Sequence, residues 1–381
     1  MIYFDNSATT PIAPEVLETY VTVSKKFFGN PSSLNKLGLE AAEVLKVSRQ
    51  QLKDLLNLKT KEIIFTSGGS EGDNLVIKGV ALARKISGNH IIVSSIEHAA
   101  VLEAVKQLEK YGFEITYLKP NKLGQIDPKK LAEAIRPNTT LISIMAVNNE
   151  TGAIQPISEI AEILQDHPQI VFHVDAVQAV GKNLEKLYSN PRIDFATFSG
   201  HKFQGPRGVG FIIYNPDRHL EPLINGGGQE KNLRSGTENT PAIAAMVKAF
   251  RISLEGSIEN HKKYQKMKNI LLDFLKDDPD FCLVSKDSSI YTPSIISFAV
   301  LGIKGETAVH YLEKKNIYIS TTSACSSQNN KPSHVLASMN LPDEVLKGAL
   351  RVSLGSQNML SEMQSFINAL KQMKEDIKVI N

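Results

Sequence analysis

A hydroxyl, an imidazole and a lysine stand within four residues of one another in Ser199-Gly200-His201-Lys202, at the head of the glycine-rich stretch Phe203-Gln204-Gly205-Pro206-Arg207-Gly208. That stretch separates the strand-like Phe195-Ala196-Thr197-Phe198 from Val209-Gly210-Phe211-Ile212-Ile213, so a bend there can present all three groups at one sheet edge. A hairpin whose lysine meets only solvent fits the same residues, because Gly, Ser and Lys are common in turns. Asp175 closes the apolar run ending at Val174 and so falls at the carboxyl end of a strand, where ligands of doubly wound sheets collect. The same Asp would also serve as a helix N-cap. Thr66-Ser67-Gly68-Gly69-Ser70-Glu71 lies between a strand and an apolar-periodic helix, and free N–H groups at a helix start beside the Ser70 hydroxyl suit a phosphate. It lacks both the G-x-G-x-x-G and the P-loop spacing, which disfavours a nucleotide.

His98 occupies another strand-to-helix junction, where an imidazole can stack on a flat ring, move protons near neutral pH, or simply cap the helix. The chain has two cysteines. Cys325 is set among Ser, Thr, Gln and Asn in 321–330, the surroundings of an exposed loop and a reactive thiol, whereas Cys282 between Phe281 and Leu283 reads as a small buried hydrophobe. Arg351 opens the strand-like Arg351-Val352-Ser353-Leu354, which would hold its guanidinium as a bidentate carboxylate clamp or as half of a surface ion pair.

The elements that must position these groups follow from periodicity. Between about residues 60 and 215, short β-rich runs at 62–66, 90–93, 141–145 and 170–174 alternate with amphipathic helical stretches such as 97–111 and 156–165. That alternation predicts an α/β fold with a large, mostly parallel sheet covered on both faces. After Asn225-Gly226-Gly227-Gly228 the pattern changes to long helices over about 240–276 and strands near 294–298 and 317–320. The division expected is a large domain over 15–250 and a smaller α+β domain made of 1–14 with 251–381, the latter carrying Cys325. A hydrophobic fraction of 42% and a formal net charge of +3 are those of an ordinary globular chain and give no footprint for nucleic acid. No apolar run approaches the length of a membrane span, the N-terminus has no signal-like pattern, and two cysteines make no disulfide framework, so a cytoplasmic location is expected. No metal is expected.

Taken together with Tyr3-Phe4-Asp5-Asn6-Ser7-Ala8-Thr9-Thr10-Pro11, Gly29-Asn30-Pro31-Ser32-Ser33, Val147-Asn148-Asn149-Glu150-Thr151-Gly152 and Arg234-Ser235-Gly236-Thr237, these segments closely resemble the cysteine desulfurases of the NifS/IscS type. These are pyridoxal-phosphate enzymes of the class-V aminotransferase family with an aspartate-aminotransferase-like fold. The resemblance implies conversion of L-cysteine to L-alanine, with the sulfur left as a persulfide on Cys325. It further implies that Lys202 binds the cofactor covalently, Asp175 pairs with its ring nitrogen, Gln178 hydrogen-bonds its phenolic oxygen, and His98 stacks on the ring; His98 is also the candidate base for the substrate thiol. Gly69, Ser70, Ser199 and His201 would hold the phosphate, joined by Thr237 from a second subunit, so a homodimer is implied. Arg351 and Asn149 would clamp the substrate carboxylate. The spacing from Cys325 to Arg351 is similar to that of the branch with the longer loop, which passes sulfur directly to acceptor proteins, whether an iron–sulfur scaffold or a thiolation enzyme. Where many relatives carry Thr, this chain has Ser70, and Gly72-Asp73 stands in place of Ser-Asn. A cysteine or selenocysteine lyase, another aminotransferase-fold enzyme, and a sulfur-relay scaffold without catalysis are the competing readings.

Overall fold

The structure is a computed structural model and describes residues 1–322 and 332–378. Thirteen strands are present among the described residues: β1 (Ile2–Tyr3), β2 (Glu62–Thr66), β3 (His90–Ser94), β4 (Glu114–Leu118), β5 (Thr139–Ser143), β6 (Val171–Asp175), β7 (Phe195–Ser199), β8 (Gly210–Tyr214), β9 (Phe281–Leu283), β10 (Ile295–Val300), β11 (Ile317–Tyr318), β12 (Ser320–Thr321) and β13 (Ala349–Ser353). The helices are α1 (Pro14–Lys26), α2 (Lys36–Leu55), α3 (Gly69–Ala83), α4 (Ala99–Glu109), α5 (Pro128–Ala134), α6 (Ile157–Ile163), α7 (Thr240–Glu255), α8 (Ser257–Lys276), α9 (Gly305–Glu313), α10 (His334–Ser338), α11 (Asp343–Gly348) and α12 (Leu360–Lys378).

Seven strands form one sheet in the order β2-β8-β7-β6-β5-β3-β4. The pairs from β4 across to β7 are parallel, and β8 is antiparallel to both β7 and β2. The β-branched runs explain the central strands: β3, β5, β6 and β7 are buried along their whole length, as parallel strands covered on both faces must be. One core packs below the sheet against α1, α2 and α7, and a second above it against α3 and α4. Behind the end of β7, Phe198 and Phe211 stack with centroids 4.5 Å apart, and Phe250 of α7 meets both edge-on. Such aromatic packing fixes the strand whose last residue, Ser199, leads into the lysine turn.

A second sheet, β12-β13-β10-β9, is antiparallel and rests on α8 and α12, while β1 lies parallel to β11 beside it. Phe4 belongs to this core, so the first residues of the chain complete the small sheet's layer. The next residues cross to the large sheet, where Thr10 N–H donates to His201 O over 2.9 Å. Among the described residues no helix is long and apolar enough to cross a membrane. Cys282 sits in the edge strand β9 and is only half-buried, so the expectation of a buried thiol there is corrected: an edge strand of three residues leaves its side chain partly open.

Candidate active site

Strands β6 and β7 end beside the start of α3, and the cleft of about 620 Å³ at this rim collects residues from both sheets. Asp175, Gln178, Ser199, His201, Lys202, Gly69, Ser70, His98, Asn149 and Arg351 all line it. Thr237 does not; it lies exposed on the loop before α7. Cys325 lies outside the described residues.

Lys202 ends a single 3₁₀ turn at Gly200–Lys202 that is closed by Gly200 N–H donating to Val209 O and Gly205 N–H donating to Gly200 O. Its Nζ donates to the carbonyls of Ser7 at 2.6 Å and Ala8 at 3.0 Å. The amine is thus held over the cleft by the N-terminal segment, a role the sequence motif there gave no geometric hint of. His201 places Nδ1 3.1 Å from Thr9 Oγ1, and burial, then Lys202 and Arg207, push its imidazole down to about 4, leaving it neutral.

Asp175 accepts from Val177 N–H at 2.9 Å. Burial raises its carboxyl to about 6, against the lowering influence of that N–H and of Lys202. Behind it, burial and then Asp175 itself hold Asp73 well above the usual carboxylate range. Asp73 Oδ1 has no hydrogen-bond partner and lies 3.7 Å from His173 Nε2, while the His173 ring bridges Ser143 and Thr197 hydroxyls at 2.8 and 2.9 Å. The buried Asp73 and the missing side chain at Gly72 belong together: a Cβ on Gly72 would come within 2.7 Å of Thr197 Cγ2, so only glycine lets α3 approach β7 this closely.

The stretch 66–71, expected to cradle a phosphate, runs from the end of β2 into α3. Gly68, the residue before α3, has φ +151° and offers no side-chain cap, which leaves the N–H groups of the helix's first turn to a ligand. Gly69 has no room for a side chain, since a Cβ would meet Val177 Cγ2 at 2.8 Å. Glu71 is withdrawn from the cradle by Arg234, whose Nε donates to it over 2.8 Å, and by Ser67 N–H.

His98 is both cleft residue and helix cap: its Nδ1 accepts from Ala100 N–H at 3.1 Å. With Nδ1 spent in this way, the hydrogen of the neutral ring belongs on Nε2. Burial, then Lys202 and His334, push the imidazole down to about 4. Such a ring stacks and donates well and is a weak base unless the cap is released. Its neighbour Glu97, invisible to sequence reasoning because glutamate is ordinarily exposed, is buried; it accepts from Ser94 Oγ at 2.5 Å and Met145 N–H at 2.9 Å, and burial raises it to about 8.

Arg351 reaches the cleft from β13. Nη1 donates to the backbone carbonyl of Asn149 at 3.0 Å and Nη2 to Asp5 Oδ1 at 2.8 Å, while Nε is buried without a partner. The Asp5 contact joins residues 346 positions apart and was not legible in the sequence. Glu150, next to Asn149, accepts from Ser333 Oγ, and burial raises it to about 7 despite Ser333 and Arg351.

These residues suit pyridoxal phosphate: a primary amine, an enclosed carboxylate for a ring nitrogen, an uncapped helix start for a phosphate, and a guanidinium for a substrate carboxylate meet in one cleft. Comparisons with known proteins identify the family. The aminotransferase class-V family model matches residues 2–366. The NifS/IcsS protein homolog of Lactobacillus delbrueckii subsp. bulgaricus is 48% identical over 381 residues, covering 100% of this chain and 99% of its own. Cysteine desulfurase IscS of Methanosarcina thermophila is 40% identical, covering 99% of this chain and 93% of its own. Among solved structures, a NifS-like protein superposes with a TM-score of 0.91 at 34% identity, covering 98% and 99% of the two chains. SspA in complex with cysteine superposes with a TM-score of 0.79 at 35% identity, covering 93% and 99%. With matches of this length and identity, the chain belongs to the class-V aminotransferases and, within them, to the NifS/IscS cysteine desulfurases.

Proposed function

We propose that this protein is a pyridoxal-phosphate-dependent cysteine desulfurase that converts L-cysteine to L-alanine and takes up the sulfur as a persulfide on Cys325. The observation that carries the reading is the meeting of Lys202, Asp175, Arg351 and the α3 start in one cleft, in a chain similar over its whole length to cysteine desulfurases. When bound, the cofactor would supply a protonated ring that accepts electron density from the substrate α-carbon.

The chain's own residues do the rest. Lys202 holds the cofactor through Nζ and, once freed by the incoming amino group, moves a proton at the substrate α-carbon. Asp175, anionic beside a ring cation, keeps the ring nitrogen protonated. Gln178 meets the phenolic oxygen and His98 stacks on the ring. Gly69, Ser70, Ser199 and His201 hold the phosphate. Arg351 and Asn149 take the substrate carboxylate, which must share the guanidinium with Asp5. The cap on His98 weakens its assignment as base for the substrate thiol and leaves stacking as its better-supported role. Cys325, as thiolate, attacks the substrate sulfur, so that an S–S bond forms as the Cβ–S bond breaks, and the carbon skeleton, taking that electron pair and a proton, leaves as alanine.

The reading extends to a homodimer whose partner copy supplies Thr237 to the phosphate. The loop before α7 supports it: Glu230 ties that loop to α2 through Arg49 and to β2 through Phe65 N–H, leaving Thr237 exposed and away from its own chain's cleft. We also assign sulfur delivery to an acceptor protein, an iron–sulfur scaffold or a thiolation enzyme, and residence in the cytoplasm, in keeping with only two cysteines.

Incubation with cysteine, with dithiothreitol for sulfide and alanine release and without it for intact-mass and peptide mapping, tests the proposal. Wild-type protein should release sulfide and alanine and carry an adduct of about 32 Da on Cys325, the mass of one sulfur. Cys325→Ser should bind cofactor, change its spectrum on adding cysteine, and release no sulfide. Normal turnover by that variant, or an adduct on Cys282, would overturn the assignment.

A further inference from the structure

Gln178 stands in the wall between two cavities, the cleft described above and a smaller one of about 180 Å³ behind Lys202. Its amide is held from two sides. Lys182 Nζ lies 3.3 Å from Gln178 Oε1, and Gln178 Nε2 donates to Ser7 O at 3.0 Å. That same Ser7 carbonyl accepts from Lys202 Nζ. A run of contacts therefore connects Lys182 to the lysine of the cleft through one side-chain amide and one peptide oxygen.

The oxygen and nitrogen of an amide are told apart by their partners; here the carbonyl's role is fixed, and the lysine's is fixed while it carries its proton. An ammonium can only donate, so it must face the oxygen. A peptide carbonyl can only accept, so it must face the nitrogen. Turning the amide over would set N–H against ammonium and oxygen against oxygen, two repulsions in place of two attractions. One hydrogen of Nε2 is used on Ser7 O, which leaves the second for the cleft and turns the acceptor oxygen toward Lys182.

Among the described residues Lys182 Nζ has no other hydrogen bond. The residues lining the rear cavity include Lys182 and Lys202 but no Asp or Glu. Burial, then the neighbouring cations Lys202 and Arg351, push its ammonium down to about 7, and no carboxylate among the lining residues offsets this. A charge so placed is costly unless it serves an acceptor, and the acceptor it has is Gln178.

We propose that Lys182 is a positioning residue of the cofactor site: it fixes the Gln178 amide so that an N–H faces the ligand, and the cleft thereby selects a ring bearing an acceptor or anionic oxygen at that point. The inference rests on the reading of the cleft above only in identifying that oxygen as the cofactor's phenolic one.

The test has a ligand-free arm and a cofactor arm. In protein labelled with ¹⁵N-glutamine, the Gln178 side-chain amide should give two resolved, slowly exchanging protons that collapse or shift in Lys182→Met and are restored in Lys182→Arg. Pyridoxal phosphate is then titrated into apo protein and followed by its visible band. Lys182→Met should lower affinity about tenfold, the size expected when one hydrogen bond to a charged group is lost, and should displace the band. Lys182→Arg should recover most of both. Because Lys182 acts through Gln178, Lys182→Met added to Gln178→Ala should cost no more than about twofold beyond Gln178→Ala alone. If Lys182→Met is poorly folded, Lys182→Gln is read in the same way against its own melting temperature. Unchanged amide protons and unchanged affinity, or penalties that add in the double variant, overturn the inference. Failure of wild-type protein to bind the cofactor would instead overturn the reading of the cleft, and the amide spectra would still decide the role of Lys182.

Discussion

On the wall of the cleft built by β6, β7 and the helix starts beside them, Asp175, Asp73 and Glu97 are buried with few partners, and His98 and His201 are pushed down to about 4. On the wall contributed by the small sheet, Arg351 meets Asp5 and the Asn149 carbonyl in ready-made hydrogen bonds. The first wall is short of charge compensation; the second is already paired. The difference teaches what each wall is prepared for. A buried carboxylate raised to about 6 gains most from a cation brought to it, whereas a paired guanidinium can exchange or share one carboxylate for another with little rearrangement. The large-sheet wall is thus suited to a resident charged ring, and the small-sheet wall to a substrate that comes and goes.

The strongest way to break this comparison is to remove the amine at the first wall. Lys202→Ala should lose covalent attachment of the cofactor and at least about a thousandfold in turnover, since among the described residues no other lysine shares its position over the Ser7 and Ala8 carbonyls. Borohydride reduction followed by peptide mapping checks it: a reduced pyridoxyl label on a lysine other than Lys202 in the wild-type protein contradicts the assignment. Asp175→Ala comes next. Its kcat should fall roughly a hundredfold or more with a smaller loss of cofactor affinity, because the anion matters most as negative charge enters the ring. Steady-state kinetics with saturating cofactor would show near-normal kcat if the role is misassigned.

At the second wall the effects should be smaller and should fall on binding. Arg351→Lys keeps the charge but cannot serve Asp5, Asn149 O and a substrate carboxylate with one planar fork, so KM for cysteine should rise about tenfold while kcat changes less. An unchanged KM would place the carboxylate clamp elsewhere and remove the contrast between the walls.

Asp175, Ser199, Gly69 and His98 of the first wall were legible in the sequence because each ends a β-rich run or opens a helix, and a strand's carboxyl end is where doubly wound sheets put ligands. The parallel sheet was legible for the same reason: continuous Val, Ile and Phe runs have few other uses. Long-range partners were not. Nothing local marks Asp5 as the partner of Arg351, or Ser7 as acceptor for Lys202, because the N-terminal segment gains these contacts only when the chain closes on itself. Glu97 and Lys182 escaped notice because their residue types are usually solvated, and the strand-flanked Cys282 was misread as core because a three-residue edge strand looks in sequence like an inner one. The dual duty of His98, cap and cleft residue, shows that the two readings of its position were never exclusive.

The smallest predicted effect sharpens the comparison most finely, because it concerns stability rather than catalysis. Glu97 is raised to about 8 by burial, with Ser94 Oγ and Met145 N–H lowering it and Asp175 adding to the rise. In the unfolded chain a glutamate gives up its proton at about 4.3, so between that value and about 8 the folded protein holds a proton that the unfolded one has lost. A group whose folded value is raised favours the folded state at low pH, and this contribution is lost as pH rises through the window. The slope is at most about 1.4 kcal/mol per pH unit for one proton. Glu97→Gln removes the titration while keeping an oxygen for Ser94 and Met145. Its stability should therefore match wild type within about 1 kcal/mol at pH 5 and exceed it by about 1 kcal/mol or more at pH 8. The contributions of His98 and His201 are common to both proteins and cancel in the difference, whereas Asp175 and Asp73, which feel the Glu97 charge, add to the pH dependence that the substitution removes. Denaturant unfolding of both proteins at the two pH values, with cofactor saturating throughout, decides the matter: parallel pH dependence would mean that Glu97 is ionised when buried and that the first wall is better compensated than its hydrogen bonds indicate.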